Sequence, residues 1–307
     1  LDFNAIAPSR LRLGTALLLA VCGSSCWRLA AAAPISWNEV QALPLPAAGQ
    51  KIAYGADPEQ FGELRLPSAA GTGAVPVLLL LHGGCWLNEF DYRYMTRLAA
   101  ALAAQGYASW TPEFRRVGDA AGGWPNTLRD AALAADQLTV LAREHPLDLK
   151  RVVAIGHSSG GHLALWLAAR GKLPPDSPLY SPHPLAIHAV IGLEAITDLA
   201  SYRIGPPDSC HASVDALMGG TPQTQLRRYA ESSPLALLPL GVPQWLIEGG
   251  QDTIVSPASV RSYAAAARHA GDRVTVLEQP DAGHFESAVP QGPAWQALLT
   301  ALRQALP

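Results

Sequence analysis

Charge is scarce in this chain. Lys, Arg, Asp and Glu make up 15% of its 307 residues, the formal net charge is −3, and no run of Lys or Arg occurs. Without a basic stripe there is nothing to neutralise a polyanion, so DNA, RNA and anionic membrane surfaces are excluded as expected partners. No apolar run is long enough to cross a bilayer; Leu13 to Val21 falls well short of about 20 residues. No internal repeat is present, and low complexity is confined to an N-terminal Ala/Pro stretch. What the chain does have is apolar residues, 49% of the total, enough for one large α/β core.

The first residues have the order of an export signal. Arg10 and Arg12 precede the apolar run, and the small residues Ala30 to Ala33 follow it. The expectation is a signal peptide at residues 1–33, a mature chain at 34–307, and a periplasmic or secreted location. Of the four cysteines, only Cys85 and Cys210 would then survive. They form no metal-ligand pattern, so neither metal nor other cofactor is expected. An oxidising compartment permits a disulfide between them, while two buried thiols fit the composition equally well.

From Val75 onward, apolar strand and amphipathic helix alternate. Val77 to Leu81, Tyr107 to Trp110, Val152 to Ile155, Ala186 to Leu193, Gln244 to Ile247 and Arg273 to Glu278 read as strands. Between them Tyr92 to Gln105, Asn126 to Glu144, the run after Ser158, Ser256 to His269 and Ala294 to Gln304 read as helices. Gly62 to Pro67 alternates earlier, as an antiparallel edge strand would. This order predicts an α/β fold: a mostly parallel twisted sheet with helices on both faces and ligands at the carboxyl ends of its strands. Residues 194–241 interrupt the alternation with Pro206-Pro207, Cys210 and two short helices, Val214 to Met218 and Gln223 to Tyr229, which predicts a small cap inserted over the sheet.

One of these strands carries chemistry. Val152 to Ile155 breaks into Gly156-His157-Ser158-Ser159-Gly160, and a helix-forming run follows at once. This strand–turn–helix setting of Gly-x-Ser-x-Gly is that of a nucleophile elbow, with Ser158 presented above the sheet. A serine hydroxyl needs a base, and the base an orienting acid. Downstream, Asp252 follows the Gln244 strand and His284 follows the Arg273 strand, in the order Ser, Asp, His. Asp198 is the rival acid. Asp281 shares the loop of His284 and reads as a turn cap; His269 ends a helix; His183 and His188 precede Asp252. After the Val77 strand, His82-Gly83-Gly84-Cys85-Trp86 supplies glycines whose neighbouring N–H groups can face a developing alkoxide, each worth about 3 kcal/mol in the transition state. Gly83, Gly84, Cys85 and Ser159 are the candidate oxyanion residues, and His82 reads as an organiser of that loop. Trp86, Phe90, Tyr92, Trp124 and Tyr202 are candidates for an apolar substrate pocket, and core packing is the competing explanation for each.

At these motifs the chain resembles the α/β-hydrolase superfamily, in its esterase/lipase branch. His82-Gly83-Gly84-Cys85-Trp86 is similar to the His-Gly-Gly-x-Trp form of kynurenine formamidase-like enzymes and small carboxylesterases. Glu113-Phe114-Arg115 resembles that branch's acidic-aromatic-Arg motif, and Gly156 to His162 its elbow. The resemblance covers about Gln50 to Leu306 and departs from the hormone-sensitive-lipase form, which has a third Gly where Cys85 stands. It implies an α/β-hydrolase fold and a serine hydrolase acting on a small-molecule ester through an acyl-enzyme, without cofactor. Arylformamidase-type amide hydrolysis is the alternative within the same machinery. A non-catalytic binding protein on this fold is the alternative from another class, and would show a broken triad or elbow.

Overall fold

The computed structural model describes residues 33–67, 73–206 and 209–306. The expected signal peptide, with Cys22 and Cys26, lies outside them but for Ala33, as does Pro207. The strands are β1 (Gln50–Ala53), β2 (Phe61–Arg65), β3 (Val75–Leu81), β4 (Ala108–Pro112), β5 (Leu147–His157), β6 (Ala189–Leu193), β7 (Gln244–Gly249) and β8 (Val274–Gln279). The helices are α1 (Trp37–Ala42), α2 (Thr96–Ala104), α3 (Asn126–Leu141), α4 (Ser159–Ala169), α5 (Leu199–Tyr202), α6 (Cys210–Met218), α7 (Leu226–Ser232), α8 (Pro257–His269) and α9 (Gly292–Ala305).

Among the described residues the strands form one sheet in the order β1-β2-β4-β3-β5-β6-β7-β8. Every pair from β4 across to β8 is parallel, and β2 alone runs against its neighbours. This is the α/β-hydrolase fold. β2 is antiparallel as expected but is not the edge. β1 covers it, and its Gln-Lys-Ile-Ala sequence, mostly exposed, carries too little apolar alternation to be read as a strand.

Alternation along the strands divides the core in two, because successive side chains leave a strand on opposite faces. Leu79, Leu81, Val152 and Ala154 pack with α3, α4 and α8 on one face. Leu78, Leu80, Val153 and Ile155 pack with α2 and α9 on the other. Both faces being covered, the central strands read as continuous apolar runs. Several boundaries shift from the sequence-based expectation. The Tyr92 to Gln105 helix begins as a 3-10 turn at Tyr92–Met95 before α2, and the Val152 strand extends back to Leu147. β3 pairs with β4 on one side and with β5 on the other, so the chain steps outward from β3 to β4 and then back across β3 to β5, reversing its direction of travel through the sheet. The loops that leave the carboxyl ends of β3 and β5 therefore diverge and leave a crevice between them, the standard ligand position in open α/β sheets. Residues 194–241 hold α5, α6, α7 and a 3-10 turn at Pro234–Leu237 between β6 and β7.

Candidate active site

Ser158 stands between β5 and α4 with φ 56° and ψ −119°, a conformation that costs a non-glycine residue on the order of 1–3 kcal/mol. Glycines permit the turn. A Cβ on Gly156 would strike the Gly160 carbonyl, and one on Gly160 would strike the carbonyls of Leu81 and His82. The strain is held by backbone bonds: Ser158 N–H donates to Leu193 O (2.8 Å), and Ser158 O accepts from Gly161 and Ile196 (2.9 and 3.1 Å).

Asp252 and His284 meet although 32 residues separate them. His284 Nδ1–H donates to Asp252 Oδ2 at 2.7 Å, and Asp252 Oδ1 accepts the N–H groups of Ile254 (2.7 Å) and Val255 (2.9 Å). The carboxylate is thus fixed in orientation, and both side chains are buried. Their loops are stitched together by Gln251 N–H to Ala282 O (2.8 Å). The rival acid Asp198 caps α5 instead, accepting from Ala200 and Ser201. Among the described residues the Ser158 hydroxyl makes no hydrogen bond, yet Ser158 and His284 line the same cavity of about 260 Å³. Nucleophile–base contacts of this kind commonly tighten only when substrate is bound.

The turn after β3 runs through left-handed backbone at Gly84, Cys85 and Trp86 (φ 103°, 59° and 57°) and closes with Leu87 N–H to Gly84 O at 2.9 Å. Gly83 is corrected as an oxyanion donor, because its N–H already donates to the Tyr94 hydroxyl (2.5 Å). A glycine is needed there for closeness instead: a Cβ would lie 2.7 Å from His157 O. The N–H groups of Gly84, Cys85 and Ser159 remain unpaired among the described residues, as the first N–H groups of a helix and of such turns are free to be. His82 organises the loop. Its Nε2 bonds Glu113 Oε1 (2.8 Å), its ring stacks on Phe114 at 4.4 Å, and Glu113 also takes the Tyr92 and Phe114 N–H groups.

Cys85 and Cys210 form a disulfide with Cα atoms 5.0 Å apart, linking the turn after β3 to the first residue of α6. Sequence alone left this pairing open.

Of the five side chains expected around substrate, Phe90 alone lies on the cavity wall. The other four are corrected. Trp86 is buried against His162, its Nε1–H donating to His162 Nδ1 (3.3 Å). Tyr92 packs on Phe61, and Trp124 lies under the Arg228 guanidinium. Tyr202, the last residue of α5, donates its hydroxyl hydrogen to Ile254 O (3.2 Å). Trp86 and Tyr202 belong to the core, Trp124 packs half-buried against it, and Tyr92 is half-buried beside Phe61. The wall is built instead by Trp37, Tyr94, Ile254 and Phe285, from segments distant in sequence.

His157, the variable residue before the serine, joins the three loops. Tyr94 O–H donates to its Nδ1 (2.9 Å), and its Nε2–H donates to the backbone oxygen of His284 (2.7 Å). Complete burial, with His284 nearby, depresses His157 to about 3, so its ring stays neutral and keeps this one-donor, one-acceptor pattern. Burial likewise lowers His162 to about 4.

A family model described as BD-FAE matches residues 63–266 of the chain, about two thirds of its length. The chain belongs to the BD-FAE family. The BD-FAE match takes in the turn after β3, Ser158 and Asp252, and stops before His284. Esterase LipC of Mycobacterium tuberculosis is 25% identical over 246 residues, which cover 76% of this chain and 59% of that protein. The probable carboxylic ester hydrolase LipM of the same organism is 21% identical over 217 residues, covering 70% of this chain and 50% of its own. The BD-FAE chain thus spans between half and three fifths of these two curated relatives. Among solved structures, a C6-C4 SN3 inhibited esterase B from Lactobacillus rhamnosis superposes with a TM-score of 0.74 at 20% identity, covering 86% of this chain and 89% of its own. At that identity the likeness is one of fold.

Proposed function

We propose that this BD-FAE chain is a serine carboxylesterase acting on a small-molecule ester through an acyl-enzyme. The observation that carries the reading is the Asp252–His284 hydrogen bond, made at the wall of the cavity that Ser158 also lines. In this mechanism His284 Nε2 accepts the Ser158 proton as Oγ bonds to the carbonyl carbon. Asp252 holds the tautomer that leaves Nε2 free and steadies the imidazolium that forms. The carbonyl oxygen takes up negative charge opposite the N–H groups of Ser159 and of Gly84 or Cys85. Collapse breaks the ester C–O bond, and the alcohol leaves with the proton from His284. A water activated by the same ring then releases the acid and restores Ser158.

The names carried by LipC and LipM agree with an esterase, and the disulfide agrees with export, since disulfides persist in oxidising compartments. The test has two parts. A fluorophosphonate probe labels the wild type and not Ser158→Ala, and the variant's kcat on p-nitrophenyl butyrate falls by about 10⁵ or more, as serine-nucleophile removal does elsewhere. Substantial turnover by Ser158→Ala would refute the assignment. A panel of aliphatic esters, aryl esters and N-formylkynurenine then separates ester from amide hydrolysis; a preference for the formamide would overturn the carboxylesterase reading while keeping the serine mechanism.

A further inference from the structure

On the wall of the cavity beside Ser158, Trp37 from near the start of the described residues meets Phe285 from the loop after β8. Trp37, the first residue of α1, sets its ring 5.4 Å from Phe90, 5.3 Å from Tyr94 and 5.6 Å from Phe285. The residue is half-buried. Its segment is anchored to the loop of His284. The Glu286 carboxylate accepts the Ile35 N–H on Oε1 (2.6 Å) and the Gly283 N–H on Oε2 (2.8 Å). Ser36 and Glu39 close a capping box over the start of α1, so the backbone that carries Trp37 has a defined direction. Trp37 and Phe285 both lie outside the residues 63–266 that the family model matches.

Two unlike spaces meet at the disulfide. The cavity of about 260 Å³ is almost wholly apolar and falls below the roughly 300–1,000 Å³ of pockets that enclose drug-sized ligands. Beyond Cys85, Phe90, Cys210 and Ile254, which it shares, lies a wider groove of about 690 Å³ bordered by Glu89, His211 and Thr253. The alcohol must depart to water with a proton from His284, which suits the wide and more polar side. The acyl chain stays bound through two chemical steps, which suits the small apolar side.

We infer that Trp37 is a specificity-determining residue: it roofs the acyl pocket and limits this chain to short acyl groups. The inference rests on the esterase reading above. Extending the acyl chain brings its terminal methyls against the indole, and shortening residue 37 opens a path past Phe90 and Phe285 to solvent.

The experiment compares p-nitrophenyl acetate, butyrate, hexanoate and octanoate on wild type, Trp37→Ala and Trp37→Leu, with an alkyl acetate series varying only the alcohol. Wild-type kcat/KM falls beyond butyrate, and Trp37→Ala raises the octanoate-to-acetate ratio at least tenfold, with Trp37→Leu intermediate. An unchanged ratio in either folded variant overturns the inference, as does a change confined to the alcohol series. Should neither variant fold, the wild-type profile decides, because equal turnover from acetate to octanoate overturns a closed acyl pocket. Absence of wild-type activity on every ester, with no fluorophosphonate labelling, would instead refute the esterase reading itself.

Discussion

Breaking the Cys85–Cys210 disulfide should destabilise the fold by about 5 kcal/mol. The bond joins residues 125 apart in sequence, and the segment it closes contains β4, β5, the nucleophile turn, α4 and β6. In the chain-entropy treatment, closing a loop of that length removes about 16 cal/mol/K from the unfolded ensemble, or about 5 kcal/mol at 25 °C. A domain of about 270 residues unfolds with an entropy of about 0.6 kcal/mol/K near its midpoint, so that loss lowers Tm by about 8 °C. Scanning fluorimetry with and without a phosphine reductant measures the shift, and Cys210→Ala checks that it follows from the lost bond. Thiol titration under denaturing conditions must find the Cys85 and Cys210 thiols only after reduction. If both titrate as free thiols in unreduced protein, the disulfide is refuted. If reduction frees them and Tm moves by less than about 2 °C, the loop-closure reasoning fails instead.

Asp252→Asn should lower kcat by about 10³- to 10⁴-fold with KM little changed, because an amide at Oδ2 no longer fixes the His284 tautomer; a loss below tenfold would remove Asp252 from the mechanism. Stability should also fall on acidification. His157 and His162 titrate near the ordinary 6.5 when unfolded but at about 3 and about 4 when folded. The unfolded chain therefore binds more protons below pH 6.5. Their contribution is intact above that pH and is lost as pH falls towards 4, by up to about 1.4 kcal/mol per pH unit for each ring. Urea midpoints from pH 7 to 4.5 measure this, and His162→Gln should flatten the slope; an equal slope in that variant would contradict the assignment of the ring.

The strands and their faces were legible because alternation and apolar runs are local properties of a chain buried on both sides of a sheet. The turn at Ser158 was legible for the same reason, since Gly156, Ser158 and Gly160 report one backbone conformation within five residues. The order of Ser158, Asp252 and His284 could be read because each follows a strand, and parallel strands deliver their loops to one edge. β1 escaped notice because an exposed strand at the sheet edge needs no apolar pattern.

Convergence lay beyond the reach of local pattern. Ile35 and Glu286 are 251 residues apart, and His157 and His284 are 127 apart, yet both pairs are hydrogen-bonded. Nothing near Trp37 in sequence marks it as a wall of the site, and nothing near Trp86 sends its ring inward. Local sequence thus determined which residues are candidates for the chemistry and which turn presents the serine. Tertiary packing alone decided that Gly83 spends its N–H on Tyr94, that Cys85 bonds to Cys210, and that Trp37 and Phe285 line the cavity. The physical reason is distance along the chain: a turn is set by the sterics of a few neighbouring residues, whereas a pocket wall is set by where the whole sheet places segments that share no local signal.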